Sequence, residues 1–356
     1  MKRVTREEIV RSLIRAENLA HRKTRKLTKK SSQHDATRVL SRLQIKAPIH
    51  LDLFNENNHT DFYLFVEQLK NAVSDGEKVL INFKDTRSLK ACALVSLYAH
   101  IDYLQRESQD KGIIRVTLSK NKMVNNWMRD SGIWNLTSFN FTNASNNQSL
   151  HVVSAIAGTS SAQKTIEESK NKIRIILKFI REKIYGGKIS GEEAQKLYAA
   201  VTESISNVGL HAYSDEEQFR DFINEIGKRW WVFAREVEEQ LYLIIYDMGE
   251  GIPKTLVKRT FFSALRERIF DPKNDAEKIL AAVQYGATRM KSDKHGKGLH
   301  DIKTFVVDNP KGALHIFSGL GKYEFTSSTG EELKNELLYA LPGTLIQWNI
   351  SLKAKS

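Results

Sequence analysis

The segment Tyr242-Leu243-Ile244-Ile245-Tyr246-Asp247-Met248-Gly249-Glu250-Gly251-Ile252-Pro253 constrains this chain more than any other. Its unbroken apolar run reads as a buried β-strand. The run ends on a carboxylate, and Pro253 stops further pairing because it has no N–H to give. An Asp held at a strand end can accept a hydrogen bond from an exocyclic amine such as adenine N6. Glycines at 249 and 251 let the backbone approach a ring closely. A strand followed by a tight turn explains the same residues, so the segment alone leaves both readings open.

Three further segments carry chemistry. In Glu203-Ser204-Ile205-Ser206-Asn207-Val208-Gly209-Leu210-His211-Ala212-Tyr213, the spacing puts Glu203, Asn207 and His211 on one face of a helix beginning near Gly191. Leu197, Val201, Ile205 and Val208 face the other way, toward a core. Polar groups aimed inward are costly unless they serve a ligand, and oxygen ligands suit Mg²⁺; a solvated polar stripe is the alternative. In Gly286 to Ile302, the loop His295-Gly296-Lys297-Gly298 opens into an apolar-periodic helix with Leu299, Ile302, Phe305 and Val306. Backbone N–H groups at such a helix start form an anion nest, and Lys297 adds a point charge. The spacing matches neither the P-loop nor the dinucleotide fingerprint. Finally, Pro342-Gly343-Thr344 is expected to open the last strand, Leu345–Ile350.

The remainder supplies the frame. With 356 residues, 41% apolar and 27% charged, the chain is long enough for two domains with separate cores. Strand signals at Ala47–Phe54, Lys78–Phe83 and Ile113–Leu118 alternate with helical stripes at Asp61–Val73, Leu89–Gln105 and Val124–Ser131, the pattern of an α/β layer. Asn135–Asn147 is polar and reads as linker. A long amphipathic helix follows over Ala162–Ile184. No run of about 18 apolar residues is present, which argues against a membrane partner, and the N-terminus lacks the apolar region of a secretory signal. Cys92 is the only cysteine, so a reducing cytoplasm is the expected compartment.

The net charge of +13 concentrates in His21–Lys30. This run reads either as a solvated arm, continuing a helix through Arg6–Arg22, or as a contact for nucleic acid or an acidic partner. It has no aromatics for base stacking.

Taken in order, the Glu/Asn/His helix, the Asp-x-Gly-x-Gly-Ile strand end, the Gly-x-Gly-Leu helix start and the Gly-Thr strand closely resemble the GHKL (Bergerat-fold, histidine kinase-like) ATP-binding family. The resemblance covers roughly residues 165–353. It implies an α+β fold: a C-terminal Bergerat sandwich over 162–356, with a mixed sheet covered by helices on one face. It also implies ATP and Mg²⁺ as ligands. Glu203 would orient or deprotonate the attacking water or hydroxyl, Asn207 would bind Mg²⁺, and Asp247 would recognise adenine N6. Gly249 and Gly251 would pass under the base, and Thr344 would assist Asp247. Gly296, Lys297, Gly298 and Leu299 would wrap the phosphates. Lys254–His295 would be a mobile ATP lid with an inserted helix over Asp275–Tyr285, and His211 would support its helix.

The Glu-x-x-x-Asn-x-x-x-His-Ala-Tyr pattern looks most like the anti-sigma factor serine kinases, which implies a regulatory protein partner. Residues 47–140 are weakly similar to a STAS domain, with 1–46 as a basic arm and 141–161 as linker. Thr86 and Ser88 are then either phospho-acceptors or caps of the helix at Leu89. Two functions stay open: a Mg-dependent ATPase or serine/threonine-type kinase, and a nucleotide-gated interaction module with little turnover. Whether the chain forms a homodimer through the helix at Ala162–Ile184 stays open too.

Overall fold

The computed structural model describes residues 37–137, 148–157, 163–186, 191–207, 212–213, 227–258, 262, 266–267, 270–288, 298–309 and 311–351, with the backbone alone at 184, 185, 193, 203, 206, 207, 286–288 and 298. The N-terminal part is built on a small sheet. β1 (Arg38–Val39) runs antiparallel to β2 (Arg42–Lys46), and β4 (Val79–Asn82) and β6 (Ile114–Val116) continue parallel to it, in the order β1-β2-β4-β6. β3 (His50–Leu51) pairs separately with β5 (Ser88–Leu89). Both crossovers are helical. α1 (Glu56–Ser74) starts where the Asn55 side chain accepts from the N–H groups of Asn57 and Asn58. α2 (Ala91–Glu107) is buried along most of its length, as its unbroken Ala-Cys-Ala-Leu-Val start requires. α3 (Lys122–Ser131) ends at Gly132, whose φ of 85° makes a left-handed cap before the short α4 (Ile133–Leu136).

The C-terminal part is a five-stranded sheet with the order β10-β11-β9-β8-β7. Its strands are β7 (Ser149–Ile156), β8 (Arg229–Val237), β9 (Gln240–Asp247), β10 (Ala313–Thr326) and β11 (Glu331–Ser351), and each neighbouring pair is antiparallel. Its helices are α5 (Gln163–Tyr185), α6 (Gly191–Asn207), α7 (Ile252–Val257), α8 (Asp275–Thr288) and α9 (Gly298–Val307).

Alternation along the central strands decides how the layers stack. Trp230, Val232, Ala234, Leu243, Ile245 and Trp348 pack under Ile176 and Ile180 of α5, Leu197 and Val201 of α6, Ile279 of α8 and Ile302 of α9. The alternate residues Trp231, Phe233, Ile244, Tyr246 and Leu345 share one core with Phe62, Leu97, Ile101 and Met128 of the N-terminal helices. The order is therefore sheet, helices α1–α3, sheet, helices α5–α9. Polar contacts stitch the middle. Trp231 Nε1 donates to Asp102 Oδ2 at 3.0 Å and Arg106 Nε to Asp102 Oδ1 at 2.9 Å. The Arg235 guanidinium lies 3.9 Å over the Trp127 ring and pairs with the buried Asp130 at 3.3 Å. Tyr63 stacks on Tyr339 at 4.5 Å.

The mixed α+β character is as expected, but several details differ. The large sheet is antiparallel at every described pairing rather than mixed, and it is covered on both faces rather than one. The N-terminal layer supplies the second cover, which fits the two-sided apolar character of β8 and β9. β1 and β2 lie inside the segment expected to be an arm, and β7 lies inside the expected linker. The strand expected over Ala47–Phe54 is reduced to His50–Leu51. Gly343-Thr344 sits within β11, which starts at Glu331, instead of opening it. Neither Thr86 nor Ser88 caps a helix: α2 begins after Lys90, which makes no side-chain cap bond. Thr86 is buried and its hydroxyl donates to the Pro48 carbonyl at 2.9 Å, while Ser88 Oγ lies 2.8 Å from His50 Nδ1. The basic run and the helix expected over Arg6–Arg22 lie outside the described residues. No helix among the described residues is long and apolar enough to cross a membrane.

Because the two parts share one core, they are expected to unfold together. Trp231→Phe, which leaves Asp102 Oδ2 without its indole donor, should cost about 1–3 kcal/mol. Urea unfolding should show one transition, moved to lower denaturant. Two separable transitions would show that the N-terminal layer is not an integral wall of the sheet.

Candidate functional site

Asp247 is the last residue of β9, and strand register sets its neighbours. It stands opposite Trp230 on one side and Thr344 on the other, and Thr344 stands opposite Ser318. Alternation places this row on the side of the sheet that carries α5–α9. Asp247 is 6% exposed, and its Oδ1 accepts from the Gly249 N–H at 2.8 Å. Burial pushes its carboxyl up to about 7, against the opposing pull of the Gly249 and Thr344 backbone N–H groups.

Three glycines let the chain close around this carboxylate. A Cβ at Gly249 would stand 1.9 Å from the Ala212 carbonyl oxygen, which also accepts from the Glu250 N–H at 2.6 Å. At Gly251, with φ 83°, a Cβ would stand 2.7 Å from Ser318 Oγ. At Gly343, with φ 76°, it would stand 2.0 Å from the Asp247 carbonyl oxygen. The glycines at 249 and 251 are thus required by protein packing against Ala212 and Ser318, a more local reason than the approach to a ring expected of them.

Two hydroxyls tie the turn together. Ser318 Oγ accepts from the Ile252 N–H at 2.8 Å, donates to the Gly343 carbonyl at 2.8 Å and lies 3.1 Å from Thr344 Oγ1. Tyr213 OH accepts from the Met248 N–H at 3.1 Å and donates to the Arg229 carbonyl at 2.9 Å. Burial, then the charge of Asp247, push this phenol well above its ordinary range, so it stays a neutral donor. Tyr246 OH, on the opposite side of β9, donates to the Pro342 carbonyl at 3.0 Å and so fixes the bend that carries Gly343 and Thr344.

The structure brings Asp247, Gly249, Gly251 and Thr344 into one cluster. Glu203 and Asn207 lie in the last turns of α6 as backbone, and their side chains lie outside the described residues. Leu197, Val201 and Ile205 of that helix are buried, as its spacing predicts. Gly298 starts α9 and Leu299 packs against the helix-side core; Gly296, Lys297 and His211 lie outside the described residues. α6 and α9 pack along one another, and Lys196 near the start of α6 pairs with Asp308 just past the end of α9 at 3.0 Å. The two helices are therefore antiparallel. Lys196–Asn207 rises about 16 Å and Gly298–Asp308 about 15 Å at helical pitch, which brings the Asn207 end of α6 level with the Gly298 start of α9.

The helix expected inside a lid, α8, is instead part of the packed layer. Ile279 and Val283 are buried, the Asp275 carboxylate accepts from the Leu320 N–H at 3.0 Å, and the Ala276 N–H donates to Glu336 at 2.7 Å. Two groups central to the cluster carry no signal in the sequence. Ser318 sits mid-strand with no motif around it. Tyr213 belongs to the Glu/Asn/His segment, and only its hydrogen bonds reveal that it reaches the Asp247 turn. No group of three or more metal-binding side chains occurs among the described residues. Neither a scan against protein-family models nor a search of curated proteins finds a match to this chain.

The buried carboxyl has a pH signature. Its folded value of about 7 lies above its ordinary 3.8, so the folded state holds the proton more tightly than the unfolded chain. The stability this confers is full at low pH and is lost as pH rises through about 7. Asp247→Asn should therefore stabilise the ligand-free protein by roughly 1–4 kcal/mol near pH 8 and by much less near pH 5, measured by urea unfolding. A difference that does not change with pH would show a carboxylate that is ionised throughout.

Proposed function

We propose that this chain binds ATP with Mg²⁺ on the helix side of its large sheet, as a GHKL-type module, and hydrolyses it or transfers its γ-phosphoryl group to a regulatory protein partner. The observation that carries this reading is the buried Asp247 carboxylate, held by two backbone N–H groups in one row with Thr344 at the sheet end. An acceptor kept that dry gains a strong, directional bond from an exocyclic amine. Trp230 Nε1, in the same row, is buried with no partner among the described residues, an unused donor beside it.

In this reading Asp247 takes the adenine N6 amine and Thr344 steadies the same edge. Gly249 and Gly251 shape the floor under the base. The N–H groups of Gly296, Lys297, Gly298 and Leu299 receive the phosphates at the start of α9, with Lys297 adding positive charge. Asn207 is the protein ligand for Mg²⁺, an oxygen donor at the end of α6 level with that phosphate site. The metal, when bound, neutralises phosphate charge. Glu203, one turn earlier on α6, orients the attacking hydroxyl or water and takes its proton. A cytoplasmic setting fits the buried Cys92, whose thiol burial pushes up to about 12, keeping it unreactive.

A nucleotide-gated interaction module is the second reading. It is favoured by the N-terminal layer, which shares a core with the sheet that holds Asp247. Incubation with ATP labelled at the γ-phosphate separates the two: label on protein or released phosphate supports turnover, and neither supports a gate. Asp247→Asn should weaken ATP binding by about 10–100-fold and erode selectivity over GTP. Glu203→Gln should abolish turnover with affinity nearly unchanged. Normal turnover by Glu203→Gln would remove the role given to that carboxylate.

A further inference from the structure

Among the described residues, the small N-terminal sheet is covered on one side only. Ile45, Val79, Ile81, Ile114 and Val116 point toward α1 and α2 and are buried. The alternate positions are Arg42, Gln44 and Lys46 on β2, Leu80 and Asn82 on β4 with Lys84 just beyond, and Arg115 on β6. All are half-buried or exposed, and no described helix packs over them. Parallel strands such as β2, β4 and β6 are ordinarily buried on both sides, so a face left open among the described residues is unusual.

The outward positions hold four cations and no carboxylate. Register makes Gln44, Leu80 and Arg115 cross-strand neighbours, and Lys46 stands opposite Asn82. Arg42 Nη1 donates to the carbonyl oxygens of Val79 and Ile113, each at 3.2 Å, so its charge is held in place without being neutralised. Arg42 and Arg115 are close enough to repel: burial, then the Arg115 charge, lower the Arg42 guanidinium from its ordinary value, with Asp110 at the rim acting in the opposite sense. At the other end of the strands, Lys46, Lys84 and Lys120 surround the single carboxylate Asp85, which Lys120 already occupies at 2.9 Å. Like charges gathered on one flat face destabilise the free protein and are relieved by an anionic partner.

We propose that this outward face docks on the phosphate backbone of duplex DNA. Among the described residues its large apolar side chains are Leu80 and, on the edge strand opposite Arg42, Val39, whereas the centre of a protein–protein interface needs apolar or aromatic anchors. Arg, Lys, Asn and Gln are the side chains that hold phosphate and sugar. The face carries no aromatic ring, which sets it apart from the stacking platforms that hold single strands. The strongly basic His21–Lys30 segment precedes β1 in the same chain and adds charge of the same sign. Binding of this kind is sequence-independent and sensitive to salt.

The test is fluorescence anisotropy of a short mixed-sequence DNA duplex with the full chain, between about 50 and 200 mM salt. The triple variant Lys46→Gln, Lys84→Gln, Arg115→Gln should bind more than about tenfold more weakly, and its log–log salt slope should be shallower by roughly 0.9 for each phosphate that is no longer neutralised. A second variant, Arg22→Gln, Lys23→Gln, Arg25→Gln, Lys26→Gln, should lose its own share of the slope and leave that of the face in place. The thermal midpoint and magnesium–ATP binding of the triple variant should match the parent, which separates this proposal from the nucleotide reading. If the triple variant loses stability, the single variants Lys46→Gln and Arg115→Gln should each reduce the slope by about 0.9. A parent that does not bind the duplex, a triple variant with the parent's slope, or face-dependent binding to polyglutamate instead of DNA would each overturn the proposal.

Discussion

Strands β8 and β9 have no solvent side. Trp230 and Trp231 are successive residues, both fully buried, and they point to opposite faces of one sheet. A strand of this kind is stable only when both faces are covered, and the rest of the architecture follows from that requirement. Helices α5–α9 close one face, and α1–α3 close the other. The N-terminal part is therefore the wall on which the large sheet rests. Its polar contacts, Trp231 to Asp102 and Arg235 to Asp130, occur where charged or indole groups had to be buried with a partner.

The same requirement explains why the candidate site lies at a strand end. Inside the sheet β8 and β9 are paired on both sides and most of their side chains are buried. The row Trp230–Asp247–Thr344–Ser318 is where the strands leave that regime. Gly343 breaks regular pairing and Ser318 bridges the break, while the Ala212–Tyr213 segment closes over the turn after Asp247. The carboxylate is buried, and among the described residues it faces two backbone donors, which do not offset the burial that raises its affinity for its proton. Tyr246 and Asp247 are adjacent residues on opposite faces. The N-terminal wall and the site are thus one residue apart along β9, the physical basis on which occupancy of one side could be felt on the other.

Much of this is legible in the sequence where period and chemistry coincide. α6 is visible in the spacing of Leu197, Val201 and Ile205, and β9 in an apolar run that ends on Asp247. α1 starts at Glu56, one polar turn before its expected start at Asp61, because Asn55 caps it there, and α8 runs on from Tyr285 to Thr288. β1, β2 and β7 are harder to see. β2 reads Arg-Leu-Gln-Ile-Lys, too short and too charged to stand out beside a basic arm, and β7 is half-buried along most of its length, so no apolar face marks it. The second cover on the sheet is not legible locally, since it follows from long-range packing between residues such as Trp127 and Phe233. For the site, Asp247, Gly249 and Gly251 stand out in their own segment, whereas Thr344 is implied only by the family resemblance. Ser318 does not stand out, because its role comes from a register shift between β10 and β11.

The central claim is that the Asp247 row forms the purine end of a nucleotide site. A crystal structure of the full chain with magnesium and a non-hydrolysable ATP analogue tests it most directly. The expected result is the exocyclic amine about 2.7–3.2 Å from an Asp247 carboxylate oxygen, with the phosphates at the Gly298 start of α9. A nucleotide seated elsewhere, with the Asp247 carboxylate still bonded only to the N–H groups of Gly249 and Thr344, would contradict it.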